Sequence, residues 1–202
     1  MREINLAKNI CIKVNSKFDM STEIVNYVHN GDLLKVKNLL ESGGDVNYVD
    51  ANGELALHSA VRENNLDLVK LLLEYKASPN FVDLSGNDAL YYAARENNIE
   101  VAKVLMSAGA SVNGSLNSMV PPLIVAALYN YNEFVELLIE SGAEVNLKDK
   151  KGKTALHYAE AQKHFKTIDL LKQHGAKSFK AKVNNKKSTW KSFKKPFRTL
   201  FR

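Results

Sequence analysis

Five columns of this sequence recur at an interval of 33 residues. Aligning Asp50 with Asp83, Leu116 and Asp149 puts Leu57, Leu90, Leu123 and Leu156 in one column and Ala60, Ala93, Ala126 and Ala159 in another. Leu39, Leu72, Leu105, Leu138 and Leu171 fall in a third, Asn47, Asn80, Asn113 and Asn146 in a fourth, and Gly43, Gly109, Gly142 and Gly175 in a fifth. A period held this long restricts the chain to architectures in which like units stack along one axis, each touching only its neighbours.

The spacing inside one unit says what the unit is. Leu57, Ala60 and Val61 fall on one face of a helix, and Leu68, Leu71 and Leu72 repeat that spacing after Asn64-Asn65. Each unit therefore reads as a turn, a short helix, a second helix and a loop. The alanine column lets first helices of adjacent units approach closely. One helix pair cannot bury its apolar face alone, so the pairs must stack. The glycine column suits a left-handed residue closing the second helix. Lys76 stands there in the second unit, at an expected cost of about 1 kcal/mol. The first unit lacks the Asp-x-x-Gly turn and puts Tyr27 in the alanine column. The last carries Lys163, His164, Lys166, Lys172, Gln173 and His174 around its second helix. Both deviations fit terminal units, which need a polar outer face.

Thr154-Ala155-Leu156-His157-Tyr158-Ala159 resembles the ankyrin signature T-P-L-H-x-A with Ala in place of Pro, and Leu55-Ala56-Leu57-His58-Ser59-Ala60 is a weaker copy. Gly142-Ala143-Glu144-Val145-Asn146 is similar to the G-A-D-V-N that ends a repeat in that family. The resemblance covers residues 20–177. It implies an all-α solenoid of about five 33-residue helix-turn-helix repeats with hairpin loops, over 20–49, 50–82, 83–115, 116–148 and 149–177. Residues 1–19 precede it as a cap or a disordered lead; the alternation of Ile10, Ile12 and Val14 favours the cap. A basic tail, 178–202, follows. The family implies a non-enzymatic protein-binding module, without cofactor or metal, acting as a monomer.

Motifs of catalysis and ligand binding are incomplete throughout. His58 and His157 have no recurring Ser or Cys nucleophile beside them, and the resemblance assigns their imidazoles to bridging loop backbones. Gly152-Lys153-Thr154 imitates the end of a phosphate loop, but the glycine needed five residues earlier is Leu147. Asp50-Ala51-Asn52-Gly53 starts like a calcium loop, yet Val61 stands where a glutamate is required. His164 and His174 have no third ligand at suitable spacing. Asn113-Gly114-Ser115 matches a glycosylation acceptor only by coincidence if the chain carries no secretory signal. Lys8 and Lys13 interrupt the one apolar run near the N-terminus, no apolar stretch is long enough to cross a membrane, and Cys11 is the single cysteine. The expected compartment is the cytoplasm.

In ankyrin proteins partners bind the hairpin tips and the exposed side of the first helices, which line a concave surface. Carried over position by position, this implies partner contacts from Tyr48 and Glu54, from Arg62 and Glu63, and from Arg95 and Glu96. In the fourth repeat it implies Met119, Val120, Leu128, Tyr129 and Tyr131. That repeat departs from its neighbours: its turn has lost the leading Asp and the Gly, leaving Leu116 and Met119, and aromatics replace Arg, Glu and Asn. Exposed aromatic and Met clusters are what interface centres favour. A degenerate turn folded back on itself is the alternative.

Charge marks a boundary near residue 178. Residues 178–202 hold nine basic residues and no acidic one, which leaves 19 basic against 22 acidic residues in 1–177. On a helix, Trp190, Phe193, Phe197, Leu200 and Phe201 share one arc, and Lys191, Lys194, Lys195, Arg198 and Arg202 the neighbouring one, although Pro196 opposes an unbroken helix. Three readings of this tail stay open: contact with an anionic membrane, a basic address (nuclear, nucleic-acid or secretion signal), or an inert or self-docked segment. Basic, hydrophobic C-termini resemble translocation signals of effectors from intracellular bacteria, which would put the chain inside a host cell.

Overall fold

The computed structural model describes residues 23–115 and 118–178, and within them helices come in pairs. Residues 23–29 form α1, followed by α2 (Leu33–Glu41), α3 (Ala56–Arg62), α4 (Leu66–Glu74), α5 (Ala89–Arg95), α6 (Ile99–Ser107), α7 (Pro122–Leu128), α8 (Asn132–Glu140), α9 (Ala155–Gln162) and α10 (Phe165–Gln173). The odd-numbered helices make one layer, in which α3, α5, α7 and α9 each pack on the next. The even-numbered helices α2 to α10 make a second layer in the same order. Each first helix has seven or eight residues and each second helix nine.

The columns read from the sequence are the core. Leu57, Leu90, Leu123 and Leu156 are buried, and Ala60, Ala93, Ala126 and Ala159 have no exposed surface at all. Leu72, Leu105, Leu138 and Leu171 are equally sealed. Each buried leucine contributes roughly 2 kcal/mol of hydrophobic stabilisation. Leu39, in the same column of the first repeat, is only half-buried against the core, where Val36 and Leu40 are buried.

Two backbone devices set the shape of every unit. Between first and second helices, Gly31, Asn64, Asn97, Asn130 and Lys163 all have positive φ. Asn tolerates this left-handed turn better than most residues, which is why Asn-Asn ends the first helix here. The second helices close on Gly43, Gly109, Gly142 and Gly175 with φ from 83° to 93°, and on Lys76 with φ 66°. Among the described residues no helix is long and apolar enough to cross a membrane, and no group of three or more His, Cys, Asp or Glu could hold a metal ion.

Candidate partner-binding surface

The hairpin tips are built on aspartates. Asp50 accepts hydrogen bonds from the backbone N–H groups of Asn52 and Glu54, Asp83 from Ser85 and Asn87, and Asp149 from Lys151 and Lys153. Gly53, Gly86 and Gly152 take the left-handed position of these turns. Two tips are locked to their own first helix as well. The Tyr92 hydroxyl donates to Asp83, and the Tyr158 hydroxyl donates to Asp149 at 2.6 Å. Burial, then the bonded carboxylate, raises the pKa of both phenols, so they stay protonated donors.

Between the tips of the second and third repeats lies an open cleft of about 340 Å³, bounded by Glu54, Arg62, Asp83, Leu84, Tyr92 and the edge of His58. Its arginine is already paired. The Arg62 guanidinium donates to the Glu54 carboxylate and lies 5.9 Å from the Tyr92 ring centre, and His29 approaches Glu54 at 3.6 Å. Arg95 pairs with Glu96 at 3.6 Å.

The fourth repeat has no aspartate to hold its turn, and the third repeat holds it instead. Asp88, buried at 2% exposure, caps α5 through the N–H of Tyr91 and accepts the N–H of Ser115 at 2.7 Å. The N–H of Met119 donates to the Gly86 carbonyl at 2.7 Å. Burial raises the Asp88 pKa against the pull of these bonds. The turn is thus fastened to its neighbour, leaving Met119 41% exposed. At the other end of α7, Tyr129 is exposed and stacks on Tyr131, with ring centres 5.7 Å apart and planes inclined by 22°.

The fifth tip is cationic. Lys148, Lys150, Lys151 and Lys153 are exposed, and the Lys150 ammonium sits 2.9 Å from the Met119 sulfur.

A family model for ankyrin repeats, described as three copies per match, covers residues 24–115 and again 118–189. This chain belongs to the ankyrin-repeat family. A search of curated proteins returned no significant match. Ankyrin repeats are in general protein–protein interaction modules.

The ankyrin framework explains both histidines. His157 Nδ1 meets the Thr154 hydroxyl at 2.8 Å and its backbone N–H at 3.3 Å. His58 Nε2 reaches across to the Phe81 carbonyl at 3.1 Å, which requires the proton on Nε2. Its Nδ1 is buried without a partner. The reason is a substitution in one column: Leu55 stands where the repeat three periods on has Thr154, so the hydroxyl that serves His157 is missing. Burial pushes the His58 pKa down to about 4.

The residues expected at the binding surface divide into three groups. Arg62, Glu63, Glu96, Met119 and Tyr129 are exposed. Tyr48, Glu54, Arg95 and Leu128 are half-buried, and Glu54, Arg62, Arg95 and Glu96 are held in the ion pairs above. Val120 and Tyr131 pack partly against the core. Tyr131 is not on the first helix, as its grouping with Leu128 and Tyr129 implies. It is the residue preceding α8, in the column where Asn65 and Asn98 cap α4 and α6 with their side chains. The tail residues Trp190, Lys191, Phe193, Lys194, Lys195, Phe197, Arg198, Phe201 and Arg202 lie outside the described residues, as do 1–19. Sequence reasoning missed Asp88 as the anchor of the fourth turn. An aspartate in the column of Thr154 was its only signal.

Proposed function

We propose that this protein is a non-catalytic module that holds a partner protein on the concave face of its ankyrin repeats, centred on the fourth. The observation that carries the reading is the Tyr129–Tyr131 stack, with Tyr129 exposed at a position where the second and third repeats put glutamate. An exposed tyrosine stacked on a half-buried one gives a partner a rigid apolar anchor at little entropic cost. The second and third repeats offer polar groups that already satisfy one another, and exposed ion pairs of this kind add little to binding. A reducing cytosol fits a chain with a single cysteine.

The test starts from a partner recovered by cross-linking to the full chain and then purified. Tyr129→Ala should weaken that partner by about 2 kcal/mol, the usual cost of truncating a central aromatic, while Arg62→Ala should cost much less. Titration calorimetry decides it. The reverse order would move the site to the second and third repeats.

The cations and aromatics of 178–202 support a second role beside this one: carrying the repeats to an anionic surface.

A further inference from the structure

We infer that the surface of the fourth and fifth repeats takes an acidic peptide segment bearing an aromatic or large aliphatic anchor. This rests on the partner-binding reading above and specifies the partner's chemistry. Residues 148–153 carry four lysines and one carboxylate, a net charge of 4 − 1 = +3. The carboxylate, Asp149, is turned to internal use: one oxygen accepts the N–H groups of Lys151 and Lys153, the other the Tyr158 hydroxyl. The positive field reaches inward, since Lys153 and Lys148 add to burial in lowering the pKa of His157.

Cations and an apolar side chain meet where the fifth tip touches the fourth. The Lys150 ammonium against the Met119 sulfur joins the fifth tip to the fourth, and Met119 and Tyr129 flank α7 at its two ends. Seven residues at 1.5 Å each make α7 roughly 10 Å long. An extended peptide advances about 3.3 Å per residue, so about three residues span the helix, and the step from Met119 to Pro122 adds up to about three more. A carboxylate at the lysine tip therefore brings a side chain about three to six positions away onto the Tyr129–Tyr131 stack. The second and third repeats lack this pairing, because Arg62 and Arg95 face Glu54 and Glu96 of their own chain. The protein's own segment 178–202 has nine basic side chains and no acidic one, the wrong sign for the lysine tip. An acidic segment of another protein has the right one.

Random-peptide display against the immobilised full chain, followed by fluorescence anisotropy on synthetic copies of the enriched peptides, tests this. Enrichment of Asp or Glu spaced about three to six residues from Trp, Tyr, Phe or Leu is expected. The Lys150→Glu, Lys153→Glu double variant should bind those peptides about tenfold or more weakly, with a shallower salt dependence. Tyr129→Ala should weaken them about thirtyfold, the equivalent of a central aromatic contact. Arg62→Ala should leave them unchanged. All these positions are exposed, and unaltered melting confirms that each variant folds. If Tyr129→Ala weakens binding and the lysine reversals do not, the acidic-partner inference falls while the binding site stands. If Arg62→Ala alone weakens it, both fall. Absence of acidic enrichment overturns the inference. So does equal binding of heparin or phosphatidylserine vesicles that depends on the lysines but not on Tyr129, because the tip is then a general polyanion site.

Discussion

Position in the repeat decides what a leucine is worth. Leu123 is 4% exposed in the column shared by every complete repeat, whereas Leu84 is 82% exposed at a hairpin tip. Leu123→Asp should lose several kcal/mol, the cost of an unsolvated carboxylate, and Leu84→Asp no more than about 0.5 kcal/mol; urea melts of the two variants check the difference. His58 is the residue through which stability should sense acid. Folded, it titrates near 4; unfolded, it takes up its proton at the ordinary value of about 6.5. Between those values the unfolded chain binds more protons, so its contribution is complete above pH 6.5 and is lost as pH falls toward 4. The loss is about 3 kcal/mol. Asp88 works in the opposite sense at the low end, because its folded pKa is raised. Comparing wild type with His58→Asn cancels Asp88: the variant should show the flatter decline in stability between pH 6.5 and 4.

Elements are joined by asparagine. The column Asn47, Asn80, Asn113, Asn146 binds each repeat to the next. Asn80 accepts the N–H of Ser111 at 2.8 Å and donates to the Gly109 carbonyl at 2.8 Å, and Asn146 makes the same pair of bonds to Lys177 and Gly175. Asn113 keeps only half of this. It accepts the N–H of Glu144 at 2.8 Å, but its amide meets the Glu144 side chain at 3.5 Å rather than a backbone carbonyl. Asn80→Ala should therefore cost about 1–2 kcal/mol, and Asn113→Ala about half that, since fewer backbone groups lose a partner. Chemical denaturation of both variants tests the ratio. A second polar ladder runs between the helix turns, where the Asn98 amide donates to Asn64 and the Thr167 hydroxyl to Asn130 at 2.9 Å.

At the scale of the whole molecule, the repeats and the basic segment separate by composition. A chain ending at Lys177 should retain the helical circular dichroism and a cooperative melt, since the described core draws nothing from beyond Ala176. The full chain should bind phosphatidylserine vesicles at low salt, and the shortened chain should not. Each Lys or Arg near an anionic bilayer contributes about 1 kcal/mol, and the effect fades as salt shortens the Debye length. Vesicle co-sedimentation of both chains at two salt concentrations is the measurement. Equal binding by the two would shift the lipid contact to the repeats.

Periodicity alone determined the stack, because a 33-residue repeat of apolar positions can be buried only by neighbouring copies of itself. The Leu57 and Ala60 columns were legible as core for that reason, and the glycine column made the left-handed position at Lys76 legible too. Tertiary structure decided what depends on approach between repeats. The sequence shows that the fourth turn lacks its aspartate, but not that Gly86 and Asp88 of the preceding repeat supply the missing bonds. It shows Leu55 in place of threonine, but not that His58 Nδ1 is thereby buried without a partner. It sets Arg62 and Tyr129 in comparable surface positions, yet one is paired with Glu54 over Tyr92 and the other stands exposed on Tyr131. Such contacts join residues many positions apart, and local spacing records the period of a solenoid without recording which side chains meet across it.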